Sequence, residues 1–139
     1  MKKVYQAEGS TDCRRACIAS LIGCTIEEQP IYYHNKRWAQ EMMDFLWARG
    51  YWWKHSIDPY NFFDNKWEGI DGLFMARVIS PIGFKEVGVD TKKRHIILIN
   101  RRGEVVHDPN PAYQGIEYPM ASEVGYKGVL KVDIVERIK

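Results

Sequence analysis

The sequence predicts an α+β fold in which an N-terminal, cysteine-bearing helix packs on a mostly antiparallel sheet. Helical patterns come first along the chain, and four or five segments of strand character follow them as a run instead of alternating with helices. The 139 residues, 45% of them apolar, suffice for one core. We therefore expect a single domain over residues 1–139.

The first helix begins near Cys13. Thr11 or Asp12 can cap it, its apolar stretch runs through residues 16–22, and Gly23 is a stop signal. Cys13 then lies in the first turn, where unpaired N–H groups and the helix dipole favour thiolate over thiol. This placement predicts a reactive thiol, although a free cysteine also packs as a small hydrophobe.

The other two cysteines are predicted to be structural. Cys17 lies one turn beyond Cys13 among apolar residues, and Cys24 follows the helix stop and packs beneath the next loop. With His34 they form no second pair of zinc ligands, so we expect neither metal nor cofactor. Three cysteines cannot pair completely, and no N-terminal apolar run resembles a signal peptide, so we expect a reducing, cytoplasmic setting.

The middle of the chain contains a second helix and two strands. Residues 35–49 predict an amphipathic helix that ends at Gly50, and residues 51–55 and 72–79 predict strands. The helix stripe comprises Trp38, Ala39, Met42, Phe45, Leu46 and Ala48.

Three further segments complete the predicted fold. Residues 58–67 are interpreted as an aromatic-rich loop, which either builds core or contacts substrate. Residues 80–84 form a second loop, which could supply one wall of a cleft. Residues 128–138 alternate in polarity, which predicts a last strand with one face in the core.

A hairpin near the C-terminal third brings together two groups with potential chemistry. His95 opens the apolar strand 96–99, residues 100–103 form a turn, and the return strand 104–108 stops at Pro109. His95 and Asp108 then lie at the same end of the sheet. The carboxylate could hold the imidazole Nδ1–H while Nε2 faces a thiol, as in a catalytic triad. Taken alone, the two residues are also compatible with strand-flanking and turn roles.

The remaining histidines are weaker candidates for a base. His107 adjoins Asp108, but neighbours on a regular strand point to opposite faces. His34 and His55 lie in aromatic, polar segments and are interpreted as surface or interface residues.

Four short motifs resemble those of a known family. They are Gln6, Asp12-Cys13, Ala16-Cys17, and His95 with Asp108-Pro109. The set is similar to that of the papain-like cysteine peptidases, especially the branch that cleaves double-glycine leader peptides from bacteriocins. The resemblance implies a papain-like fold in which Gln6 donates to the oxyanion, Cys13 attacks, His95 is the base and Asp108 orients it.

The expected function is therefore a cysteine hydrolase that cleaves an amide, with a peptide or protein as substrate. The alternative is a catalytically silent papain-like binding or inhibitory module, favoured by Arg14, where the family usually has Gly, and by the aromatic surplus. No apolar run is long enough to cross a membrane. The net charge of +2 argues against nucleic acid as the main partner. A short stand-alone domain of this kind would suit a bacterial or phage genome.

Overall fold

The structure is a computed structural model, and it describes residues 1–7, 10–79, 94–114 and 129–139. Within these ranges the helices and strands are, in chain order, α1 (Cys13–Ile22), α2 (Trp38–Ala48), β1 (Tyr51–Ile57), α3 (Pro59–Asp64), β2 (Phe74–Ile79), β3 (Arg94–Ile99), β4 (Val105–His107) and β5 (Val129–Arg137). The strands form one sheet of order β1-β5-β2-β3-β4, and every pair is antiparallel. The predicted α+β class with an N-terminal helix is confirmed.

Helix α1 has the predicted bounds but not the predicted cap. Gly23 ends it in the left-handed conformation, with φ of 79°, and its N–H donates to the Ala19 carbonyl at 2.9 Å. Asp12 occupies the N-cap position, yet its side chain makes no capping hydrogen bond. Its carboxylate instead pairs with Arg15 at 3.1 Å. The first N–H groups of α1 therefore receive no side-chain cap from Asp12.

Helix α2 begins three residues later than predicted. The Asn35 side chain donates to the Ile31 carbonyl at 2.8 Å and accepts from the Arg37 N–H at 2.9 Å. Such local side-chain bonds compete with the helical ladder, so residues ahead of Trp38 form turns. Met42 and Leu46 are fully buried, whereas Ala48 is exposed, which corrects the predicted stripe at its end.

The prediction of a loop over residues 58–67 is wrong in part, because this segment contains α3. Asp58 caps the helix by accepting from the Asn61 N–H at 2.9 Å, and Pro59 occupies the first helical position. Phe62 is buried in the core, whereas Tyr60 is exposed. The aromatic density of this segment therefore serves mainly to cover the sheet.

The core lies on both faces of the sheet. Residues of α1 and α2 pack on one face against Met75, Ile96 and Leu98, and Phe62 of α3 packs on the other. Strand β5 was expected to have a single core face, yet residues 132–135 are all buried. The reason is its position between β1 and β2, where both faces are covered.

The hairpin of β3 and β4 is confirmed, with a shorter return strand than predicted. The Gly103 N–H donates to the Asn100 carbonyl at 3.1 Å in the turn. An irregularity interrupts the pairing between Leu98 and Ile99. His95 is the second residue of β3 and Asp108 directly follows β4, so both lie at the same end of the sheet.

Two expectations concern other parts of the chain. The predicted cleft wall at residues 80–84 lies outside the described residues. Among the helices that the structure does describe, none has the length and apolar character needed to cross a membrane.

Candidate active site

Cys13 is the first residue of α1, and the packing of this helix fixes its position. Cys17, one turn further along, is fully buried and donates its thiol to the Ile96 carbonyl at 3.5 Å. This contact ties α1 to β3 directly beside His95. Burial raises the pKa of the Cys17 thiol well above its usual value, so Cys17 stays protonated. Its predicted core role is confirmed, and Cys24 packs half-buried against the same core cluster.

His95 and Asp108 form a buried pair. The Nε2 atom of His95 lies 2.7 Å from Asp108 Oδ1, and both side chains are 5% exposed. The prediction that the carboxylate holds Nδ1 is wrong. The carboxylate contacts Nε2 instead, the ring nitrogen further from the backbone.

The electrostatics of His95 combine opposing effects. Burial lowers its pKa, but hydrogen bonds to Asp108 and Cys13, together with the charges of both groups, raise the pKa to about 9. The imidazole is therefore held protonated at neutral pH between a sulfur and a carboxylate. Positive charge next to a cysteine is a general feature of thiol nucleophiles.

Further contacts hold the pair in place. Asp108 Oδ1 also accepts from the Asn110 N–H at 3.0 Å, and the Gln114 side chain donates to the Asp108 carbonyl at 2.9 Å. The Tyr113 ring meets the His95 ring edge-on, with centroids 5.3 Å apart. Tyr113 was not predicted from the sequence, where its nearness to Asp108-Pro109 is the one signal of this contact.

Gln6 lies beside the segment that follows Asp108. Its N–H donates to the Pro109 carbonyl at 2.9 Å, and its side-chain Nε2 donates to the Ser10 carbonyl at 2.9 Å. Gln6 is buried, and its Oε1 has no hydrogen-bond partner within the described residues. There, no hydrogen bond joins Gln6 to Cys13 or His95. One Nε2 hydrogen remains to donate.

The other histidines have different surroundings. His107 is buried, its Nε2–H donates to the Val4 carbonyl at 2.7 Å, and its ring meets Tyr5 edge-on. Burial lowers the pKa of His107, so it stays neutral at pH 7. His34 and His55 are exposed, as predicted.

A cavity of about 730 Å³ reaches Cys13. The described residues that line it are Thr11, Cys13, Arg14, Tyr32, Tyr33, His34, Asn35, Lys36, Trp38, Arg77, Arg94 and Ile96. The volume is that of a typical small-molecule or side-chain pocket. Four of these lining residues are cationic, namely Arg14, Lys36, Arg77 and Arg94.

Beneath this lining lies a buried charge cluster that sequence analysis missed. Asp133 is fully buried and accepts from Arg14, Arg77 and the Trp53 indole. A carboxylate inside the apolar run of β5 was the available signal, since buried charges are paired. Arg14, which follows the candidate nucleophile Cys13 in the chain, is held in this cluster by its ion pair with Asp133.

Within the described ranges, no group of three or more metal-ligating side chains comes together. Comparisons with protein-family models, curated proteins and solved structures give no match for this chain.

Proposed function

We propose that the chain is a papain-like cysteine hydrolase that cleaves an amide, with a peptide bond as its substrate. The observation that carries the proposal is the buried pair of His95 and Asp108, joined at 2.7 Å, whose imidazole interacts with the Cys13 thiol strongly enough to raise the pKa of His95. A nucleophile, a base and a group that orients the base are the parts that covalent acyl transfer requires.

In the proposed reaction, Cys13 Sγ attacks the carbonyl carbon and the carbonyl oxygen becomes an oxyanion. His95 then gives its proton to the leaving amine as the carbon–nitrogen bond breaks, which leaves a thioester on Cys13. Water attacks the thioester and gives a proton to His95, and the departing sulfur completes the cycle. Asp108 keeps the ring oriented in both steps.

Two donors are available for the oxyanion. The Cys13 N–H is the first of α1 and has no acceptor within the helix. Gln6 would supply the second through its remaining Nε2 hydrogen, although the bond to Ser10 fixes the amide in its present position. Donors aimed at a developing oxyanion usually contribute strongly to rate.

A peptide-library screen with mass-spectrometric readout tests the proposal. We expect turnover by the native protein, and a loss of at least about 10³-fold in Cys13→Ala, because the other triad members alone retain little activity. Cys24→Ala is the matched control, since it removes another half-exposed thiol and leaves the triad intact. Full turnover by Cys13→Ala would refute the proposal.

The second candidate is a binding module without chemistry. It is favoured by the exposed Trp47 and Trp52, which are 60% and 41% exposed, and by the engagement of Gln6 with Ser10. Alkylation by iodoacetamide at pH 7 separates the candidates. A hydrolase requires that Cys13 react faster than Cys24 and that His95→Ala remove the difference, whereas equal and unaffected rates favour the module.

A further inference from the structure

The charged side chains among the described residues that line the cavity beside Cys13 are all positive. Four of its described lining residues are cationic, namely Arg14, Lys36, Arg77 and Arg94, and none is an aspartate or glutamate. A cleft lined by one sign of charge concentrates ligands of the opposite sign. The hydrolase proposal does not account for this arrangement.

Two of the cations are held rigidly. Arg77 binds Asp133 with two bonds, Nη2 to Oδ1 at 2.8 Å and Nε to Oδ2 at 3.1 Å. Arg14 Nη1 binds the second oxygen at 3.3 Å. Both guanidinium groups also lie over the Trp38 ring, with their carbon atoms 4.7 Å and 5.4 Å from its centroid. Their geometry is therefore set before any ligand arrives.

The ion pairs with Asp133 leave both positive charge and hydrogen-bond donors of Arg14 and Arg77 available. One carboxylate faces two guanidinium groups, so a net positive charge remains. Nη1 of Arg77, and Nε and Nη2 of Arg14, make no hydrogen bond within the described residues. Lys36 is exposed, lines the cavity and adds a further positive charge. Fixed guanidinium donors of this kind recognise carboxylates and phosphates.

We infer that this cavity is an anion subsite of the reaction at Cys13, so that the substrate carries a carboxylate or phosphate group next to the carbonyl that Cys13 attacks. The inference rests on the proposed function, because it assigns the substrate class for the same thiol. Arg14 follows Cys13 directly in the chain and lines the same cavity, so the anion would bind beside the reacting thiol. Trp38, Tyr32 and Tyr33 supply the apolar walls around it.

Two alkylating agents that differ in charge test the inference. Cys13 Sγ displaces iodide from both iodoacetate and iodoacetamide, and mass spectrometry reports modification at Cys13 alone. For each reagent, the alkylation rate of Cys13 is divided by the rate at which the same reagent alkylates N-acetylcysteine. This division removes the difference in intrinsic reactivity between the two reagents. We expect the corrected ratio to favour iodoacetate by about tenfold or more at low salt, and to decline as salt is raised. A corrected ratio of one would overturn the inference.

Variants locate the effect. Lys36→Gln is expected to lower the preference for iodoacetate about twofold or more, because it removes one exposed cavity charge. Lys66→Gln is the matched control, since it removes an exposed lysine that does not line the cavity. Arg77→Gln should lower the preference further, and its fold is checked by circular dichroism. A preference that neither cavity variant alters would contradict the subsite.

Protection against iodoacetamide identifies the anion. Slower modification in the presence of inorganic phosphate supports a phosphate-bearing substrate, and slower modification with succinate supports a carboxylate. Protection by neither anion overturns the subsite.

The two proposals fail in different ways. Rapid, His95-dependent modification without charge preference removes the subsite and leaves the hydrolase. Slow, His95-independent modification that still favours iodoacetate removes the hydrolase and leaves an anion-binding cavity.

Discussion

Replacing Asp108 with asparagine tests whether the carboxylate holds the protonated imidazole of His95. The variant keeps the size of the side chain and its Oδ1 acceptor but removes the charge next to Nε2, 2.7 Å away. A hydrogen bond to a charged group contributes about 1.5–3 kcal/mol, and about 1.36 kcal/mol corresponds to one pKa unit. We therefore expect the pKa of His95 to fall by about one to two.

The assay is the His95 ring titration, followed by NMR. Cys13→Ser provides the background, so that the neighbouring thiol does not titrate, and it is compared with the same protein carrying Asp108→Asn. Asp58→Asn is the control, because it removes a carboxylate from the cap of α3, which packs against the opposite face of the sheet. An Asp108→Asn variant whose His95 titrates at the same pH would refute the assigned role of the carboxylate.

Further predictions concern stability, measured by urea unfolding. Asp133→Asn should cost about 3–5 kcal/mol because it leaves two partly buried arginines unpaired; a cost below about 1 kcal/mol would argue against the cluster. Burial lowers the pKa of folded His107, so the unfolded chain binds protons more readily and the His107 contribution to stability declines as pH falls through about 6.5. His107→Gln should remove that part of the decline between about pH 7 and 5, and an unchanged profile would contradict it. Gly69→Ala should cost more than about 1 kcal/mol, since a Cβ there would lie 2.5 Å from the Leu73 carbonyl oxygen; a neutral result would exclude the close approach.

Local patterns predicted the elements that carry the candidate site. Gly23 ended α1 because the left-handed conformation suits glycine, and the apolar run after His95 formed a strand because such runs are buried in sheets. The pairing of that strand with the segment before Asp108 followed from the short turn between them. The capping role predicted for Asp12 is wrong because its carboxylate pairs with Arg15. Helix α3 was not predicted although Asp58 and Pro59 are a local start signal for it.

The sequence also could not tell which ring nitrogen of His95 meets Asp108. That choice depends on the orientation of the ring and on where β3 and β4 place the two residues, which only the folded sheet sets. The charge cluster at Asp133 was not predicted from the sequence for a similar reason. Its partners Arg14 and Arg77 are distant in the chain, and only the packing of α1 against the sheet brings them together.

By itself, the sequence determined the approximate positions of α1, α2 and the strands, which thiol stands at a helix start, and which imidazole and carboxylate lie at the same end of the sheet. These features depend on residues close together in the chain, so their patterns and turns can be recognised from the sequence alone. The tertiary structure decided the atoms that meet at His95, the burial of both faces of β5, and the cationic cavity beside Cys13. Each depends on contacts between residues far apart in the chain, which only packing can select.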